Sequence, residues 1–422
     1  MNIEFLLNTS SAGSAYVGWT PQPSSLKLTV PQAQGMNVRL KCVSAAGAGS
    51  VSFRLLKGDA PLPELDAVLP GDGTAFNFFV AGATASLADQ DTLINVVDAV
   101  TGAVLLSRTV MVRIRKNANE LSPAERDRFL AAIYAFNIST GNPDYTAFLT
   151  MHNDKADNEI HTTSPVTRYS FLVWHRAFVL DLERRLQKID PSVAIPYWKF
   201  DSPAPKVFSP DFMGGVTATG TLQFNAGNPL AHWRIGKTIG ITREPGFNDQ
   251  TESASNAPGF PALSEDQTVR LGTTFKAFRS MENNPHGAAH ASFSNGPITT
   301  RPTATQDPIF FLLHANVDRL WALWQQKLNR YTITDVQTYP IMGSFAPGKV
   351  QHIGDFVDDT MWPWNDIVTG GRPPSAPSTP FPASSSFSQP SAMPEVWEMI
   401  DYQGIEPGTA PNGADYDHIL FT

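Results

Sequence analysis

Residues 307–321 read DPIFFLLHANVDRLW. Ile309, Phe310, Phe311, Leu312 and Leu313 form an apolar run, and His314 stands directly behind it. Asp307-Pro308 is a helix start, after which Ile309, Phe310, Leu313, Val317, Leu320, Trp321 and Trp324 share one inward face. A helix of this pattern carries an imidazole on its buried side. A buried histidine is more often satisfied by a neighbouring hydrogen bond, and Asp318, one turn on, is the obvious partner. An acid at that place is also what a metal-bound imidazole needs to orient it. The reading of this region therefore turns on what His314 meets.

Nine histidines occur, and six fall into two groups of three. His152, His161 and His175 form the first, with His175 in a helical stretch, RYSFLVWHRAFVLDLERRLQKI (168–189), whose Phe171, Trp174, Phe178, Leu182 and Leu186 follow i, i+3, i+4 steps. Glu183 lies two turns beyond His175 on the same side. The second group is His286 and His290, four apart in NNPHGAAH (283–290), together with His314. Asn284-Pro285 makes a helix start, so both imidazoles of the pair share a face. Singly, each histidine is ordinary. Two buried among Phe and Trp, beside an HxxxH, point to a metal centre.

Ligand type limits the metal. Neutral imidazoles without thiolate suit copper, zinc, iron or nickel, and suit magnesium or calcium poorly. The one cysteine, Cys42, lies far from the histidines in sequence. Two sets of three histidines suggest two neighbouring ions, each with an open position.

The surrounding chain is organised in three parts. Residues 1–116 read as β structure: LKLTV (26–30), VRLKC (38–42) and VSFRLL (51–56) alternate with period 2, and Thr101-Gly102 separates two longer alternating runs as a hairpin turn. A small sandwich or barrel is expected there. Residues 117–365 are mainly helical, opening at Ser122-Pro123-Ala124-Glu125, a capping box before Phe129, Ile133 and Phe136. Residues 366–422 begin Pro/Ser-rich and end in a stretch apolar enough to dock on the core. The fold class expected is multidomain α+β.

The 422 residues carry a formal net charge of -8 and no run of Lys or Arg, which argues against nucleic-acid and anionic-membrane binding. No apolar stretch approaches a membrane span, and the N-terminus is a poor signal peptide, so a cytoplasmic protein is expected.

Together, FLVWHRAFVLDLERRLQ (171–187) with IPYWKFD (195–201), and ENNPHGAAH (282–290) with DPIFFLLHANVDRLWALW (307–324), resemble the two copper motifs of tyrosinases and related polyphenol oxidases. The resemblance implies a helical dicopper core on a four-helix bundle, using dioxygen as co-substrate to turn small phenols or catechols into o-quinones. It implies His152, His161 and His175 as ligands of a first copper, and His286, His290 and His314 of a second. Asp318 would hold a second-copper histidine, Arg319 would join the charge network, and Glu282 would orient a water.

Several positions depart from the family pattern. Val166 stands where a histidine is usual, which leaves His161 as the nearby candidate. Leu313 precedes His314 where two histidines are often adjacent. Gly287 replaces an Asn that assists the water, and with Ala291 it implies an open mouth to the site. Catechol or o-aminophenol oxidation without efficient monophenol hydroxylation is the alternative, and hemocyanin-like oxygen carriage is a more distant one. Phe76, Phe78 and Phe79, or Phe381 and Phe387, would be the aromatics available to plug such a site, although core packing is their plainer use.

Overall fold

Alternation along the strands has a direct counterpart in burial. In the computed structural model, which describes residues 3–8, 16–138, 144–155, 169–217, 221–341, 354–367 and 380–421, the N-terminal region holds nine strands among those residues. They are β1 (Ile3–Leu7), β2 (Tyr16–Val17), β3 (Gln22–Leu28), β4 (Met36–Ser44), β5 (Ser50–Arg54), β6 (Glu64–Leu69), β7 (Phe76–Thr84), β8 (Thr92–Asp98) and β9 (Val104–Val112). One sheet has the order β1-β3-β7-β5 and the other β2-β9-β8-β4-β6. Leu40 of β4 stands opposite Val96 of β8. Their side chains join Leu26, Phe53, Phe78 and Val80 from the first sheet in one apolar core.

The expected hairpin lies between β8 and β9. The Asp98 carboxylate accepts from the amides of Val100 and Thr101 at 2.9 and 2.7 Å, and Gly102 takes φ 72°, where a side chain would be strained.

In the helical region, α1 (Pro123–Ile138) starts with the expected capping box: the Ser122 amide donates to Glu125 at 3.0 Å and the Glu125 amide to the Ser122 hydroxyl at 3.3 Å. There follow α2 (Asp144–Lys155), α3 (Ser170–Ile189), α4 (Glu265–Val269), α5 (Phe275–Phe278), α6 (Ala288–Ala291), α7 (Ile309–Leu328) and α8 (Val396–Ile400). Asp307 begins α7 twice over. It accepts the Ile309 amide at 3.1 Å, and it forms a fully buried two-pronged pair with Arg243 at 2.7 and 2.8 Å.

Helix α3 differs from the one-faced amphipathic helix its spacing suggests. Because α1, α7 and α8 all pack on it, Arg176, Asp181, Glu183 and Arg184 are buried as well as its apolar face. Each charge finds a partner: Arg176 pairs with Asp318, Arg185 and the Trp364 indole bind Asp181, Glu183 accepts the Ile195 amide at 2.8 Å, and Arg184 donates to the Pro382 carbonyl at 2.9 Å. Glu183 thus ties α3 to the chain that follows it.

The chain forms two compact units. One comprises Met1–Arg115, Ser384–Gln389 and Tyr402–Thr422, and the other Lys116–Ala383 and Pro390–Asp401. The segment 366–422, read from sequence as one tail, is divided between them. Phe78 belongs to the β core, Phe381 packs 5.4 Å from Trp364 in the helical unit, and Phe387 is buried in the β unit. Among the described residues, no helix is long and apolar enough to cross a membrane.

Candidate metal centre

Five of the six expected ligands meet in the helical unit. Helix α2 supplies His152, α3 His175, α6 His290 and α7 His314, while His286 comes from the turn Asn283–Gly287 just before α6. His161 lies outside the described residues. The His314 ring centre is 4.3 Å from His175, 4.9 Å from His286, 5.6 Å from His290 and 6.3 Å from His152. His152 and His175 are 5.5 Å apart. Four of the five rings are buried, and His290 is partly exposed.

Backbone carbonyls fix three of these rings. Nδ1 of His175 lies 2.8 Å from the Phe171 oxygen, Nδ1 of His286 2.7 Å from that of Glu282, and Nδ1 of His290 2.7 Å from that of Ile298. A carbonyl only accepts, so each Nδ1 carries the proton and each Nε2 keeps its lone pair. In the first two cases the carbonyl lies four residues back. That spacing brings the carbonyl within reach of the side chain as well as of the backbone amide.

The arrangement fits a bound cation. Ligand atoms of His286, His290 and His314 all lie within 4.8 Å of one another. The Nε2 atoms of His290 and His314 approach to 3.4 Å, and the buried His314 Nδ1 has no hydrogen-bond partner among the described residues. Lone pairs converging in an apolar pocket repel one another unless a proton or a cation lies between them. Burial, reinforced by the surrounding imidazoles of His175, His286, His290 and His152, holds His314 well below the usual histidine range and so keeps its ring neutral. A neutral ring is the metal-binding form.

Aromatic side chains wall the centre. Phe310 stacks on His314 at 4.1 Å and lies 4.8 Å from His152, and Phe171 is 4.5 Å from His175 and 4.6 Å from His286. These contacts lock the ring orientations that a metal requires.

Asp318 does not take the place expected for it. It is buried against Arg176, whose guanidinium lies 3.8 Å from the Trp321 ring centre and also donates to Gln325 and to the Met399 carbonyl. The orienting role falls to backbone carbonyls because a neighbouring guanidinium is the stronger partner for a buried carboxylate. Asp318 instead ties α7 to α3 one turn beyond His314 and one residue beyond His175.

Arg319 does join a charge network. It donates to Asn316 at 2.9 Å and to Glu265 at 2.5 Å, and lies over the Tyr197 ring at 4.6 Å. Burial would raise the Glu265 carboxyl, but Arg319 and Lys199 bring it below its ordinary value.

Glu282 enters the site through its backbone oxygen. Gly287 is half-buried and Ala291 exposed, one turn apart on the same helical face beside His286 and His290. The carbonyls of Phe171 and Ile298 were not read from sequence. The first was available in principle from the i, i−4 relation. The second needed the fold of the loop after α6.

Imidazole nitrogens without thiolate, walled by aromatic side chains, make a donor set suited to copper, zinc, iron or nickel. Residues 142–327 match the family model for the common central domain of tyrosinase. The chain is 30% identical over 277 residues to a tyrosinase of Streptomyces antibioticus, covering 60% of this chain and 94% of that protein. It is 28% identical over 271 residues to the grixazone synthase of Streptomyces griseus, covering 51% and 85%. A solved polyphenol oxidase from Thermothelomyces thermophila aligns with a TM-score of 0.43 and 20% identity over 72% of this chain and 88% of that one.

The chain belongs to the tyrosinase family. It is a copper-dependent oxidoreductase of the dinuclear type that uses dioxygen, with phenols as its substrate class.

Proposed function

We propose that the protein oxidises phenols and catechols to o-quinones, with His152, His161 and His175 holding one copper and His286, His290 and His314 the other. When bound, the copper pair supplies dioxygen binding and the electron transfer that substrate oxidation requires. The observation that carries this reading is the convergence on His314 of histidines whose Nδ1 atoms are fixed by carbonyls. The protein's own part is to keep Nε2 unprotonated and aimed inward, to exclude water with Phe171 and Phe310, and to admit a planar ring past Gly287 and Ala291. The Glu282 carboxylate is assigned to orient a water that takes the phenol proton.

The same reading assigns α1, α2, α3 and α7 to a four-helix bundle and the two sheets to a sandwich. It places the enzyme in the cytoplasm, where the lone Cys42 stays reduced.

A second reading is favoured by Gly287. This residue has no side chain to help hold the water, so catechol or o-aminophenol oxidation without efficient monophenol hydroxylation follows. Initial oxygen-uptake rates on tyrosine, a catechol and an o-aminophenol separate these readings. Tyrosine turnover comparable to the catechol rate supports the first, and catechol or aminophenol turnover with tyrosine at least about a hundredfold slower supports the second. Reversible oxygenation without any quinone would overturn both.

A further inference from the structure

Phe260 is 38% exposed, yet the loop that carries it is firmly built. The Asn284 side chain clamps that loop from both ends of its amide: Oδ1 accepts the Leu263 amide at 2.7 Å, and Nδ2 donates to the Pro261 carbonyl at 3.0 Å. The Ala262 amide binds the Ala254 carbonyl at 3.0 Å, and the Ser255 hydroxyl binds the Ala262 carbonyl at 2.7 Å. Single exposed apolar side chains are common and need no explanation. This one is held in place by a residue two positions before His286.

It also lies beside Gly287, at the expected mouth of the site. A Cβ built on Gly287 would lie 4.0 Å from Cε1 of Phe260 and 3.5 Å from the Glu282 oxygen, both ordinary contacts. Gly287 is therefore not demanded by crowding, and the Phe260 ring lies directly beside the turn that carries His286.

We propose that Phe260, positioned by Asn284, is a specificity-determining wall of this mouth, selecting aromatic substrates with an apolar group opposite the reacting oxygen. Such a group covers the exposed ring and removes apolar surface from water, whereas an unsubstituted ring reaches it less. This inference rests on the assignment of the histidine centre as a phenol oxidase site.

The test uses the full copper-loaded chain, with copper content measured in every variant. Affinities for benzoate and 4-tert-butylbenzoate, read by calorimetry as competitive ligands, give a ratio that does not depend on turnover. KM values for catechol and 4-tert-butylcatechol give a second ratio. Phe260→Ala should reduce the preference for the tert-butyl compounds about five- to tenfold, with the loss in KM rather than kcat. Asn284→Ala should reduce it less, and Phe260→Tyr, which keeps the ring, should retain it. Gly287→Val should weaken both members of each pair.

A ratio unchanged in Phe260→Ala would overturn the proposal, as would its loss in Phe260→Tyr with copper content intact. If the copper-loaded parent oxidised neither catechol, the oxidase reading would fail, and the benzoate ratio would still decide whether Phe260 is a binding wall.

Discussion

Leu40, Val38, Phe53, Ile94 and Val96 have no exposed surface in the β unit, and all are aliphatic or aromatic. Equally hidden in the helical unit are His314, Arg176, Asp181, Arg243 and Asp307. The first set follows from period-2 alternation and needs no partners beyond shape. In the second set every charge is matched, with Arg176 on Asp318 and Arg243 on Asp307, while the imidazoles converge on one another. Burying charge is costly unless it is paired, so a unit built this way must register its helices accurately. The contrast separates a unit held by packing from one whose packing is organised around a site.

The comparison breaks most sharply at His314. His314→Ala should lower bound copper from two per chain to one or fewer, and lower catechol oxidation at least about a hundredfold, a loss exceeding that for an outer-shell partner. Metal analysis beside a rate assay checks both. A copper count unmoved by the substitution would make His314 a packing residue.

Next in size is a matched pair of core changes. Asp318→Ala strands the buried Arg176 charge and should cost about 3–5 kcal/mol, together with weaker copper retention, because the α3–α7 tie lies beside His175 and His314. Leu40→Ala should cost about 2–5 kcal/mol by leaving a cavity, yet leave copper per folded chain unchanged. Urea unfolding and copper content on the same samples separate the two outcomes. Equal copper loss from both would erase the distinction between the units.

The smallest effect concerns Asp359. Burial pushes its carboxyl up to about 7, with Asp355 and Asp358 adding to the rise against the Phe356 and Asp355 amides. The folded protein holds this proton more tightly than the unfolded chain does. The resulting stability is full below about pH 4 and is lost as the pH rises to about 7. Asp359→Asn should remove about one proton from the slope of stability against pH in that window, measured as urea midpoints at successive pH values. An unchanged slope would show that Asp359 ionises as freely as an exposed acid.

What could be read from residues alone followed local periodicity. Ser122 and Glu125 announced α1, Asp307 announced α7, and the His286–His290 spacing placed two rings on one face. The alternation in β3 and β4 marked their buried sides, whereas β5 buries Ser52 along with Val51 and Phe53. What escaped depended on partners distant in sequence. Nothing near Asp318 says that Arg176 will claim it, and nothing near His290 points to the Ile298 carbonyl. Helix α3 looked one-sided because its charges lie off the apolar stripe. They are buried because other helices surround it. The Asn284 clamp on residues 261–263 was hidden for the same reason: an amide that looks like turn chemistry acts across a loop.

In the β unit, the Trp19 indole donates to the Tyr416 carbonyl at 2.7 Å, the Arg115 guanidinium to the Tyr416 hydroxyl at 2.7 Å, and the Asp417 amide to the Arg115 carbonyl at 3.0 Å. Of these two units, the one whose strands are made earlier is therefore completed later. Its strands emerge early, while the segment from Tyr402 onward arrives only after the whole helical unit has been made. At roughly 5–20 residues per second, that interval is on the order of tens of seconds. Synthesis order thus gives the helical unit the opportunity to collect its helices before the β unit closes, and leaves the waiting strands as the part of the nascent chain most in need of protection.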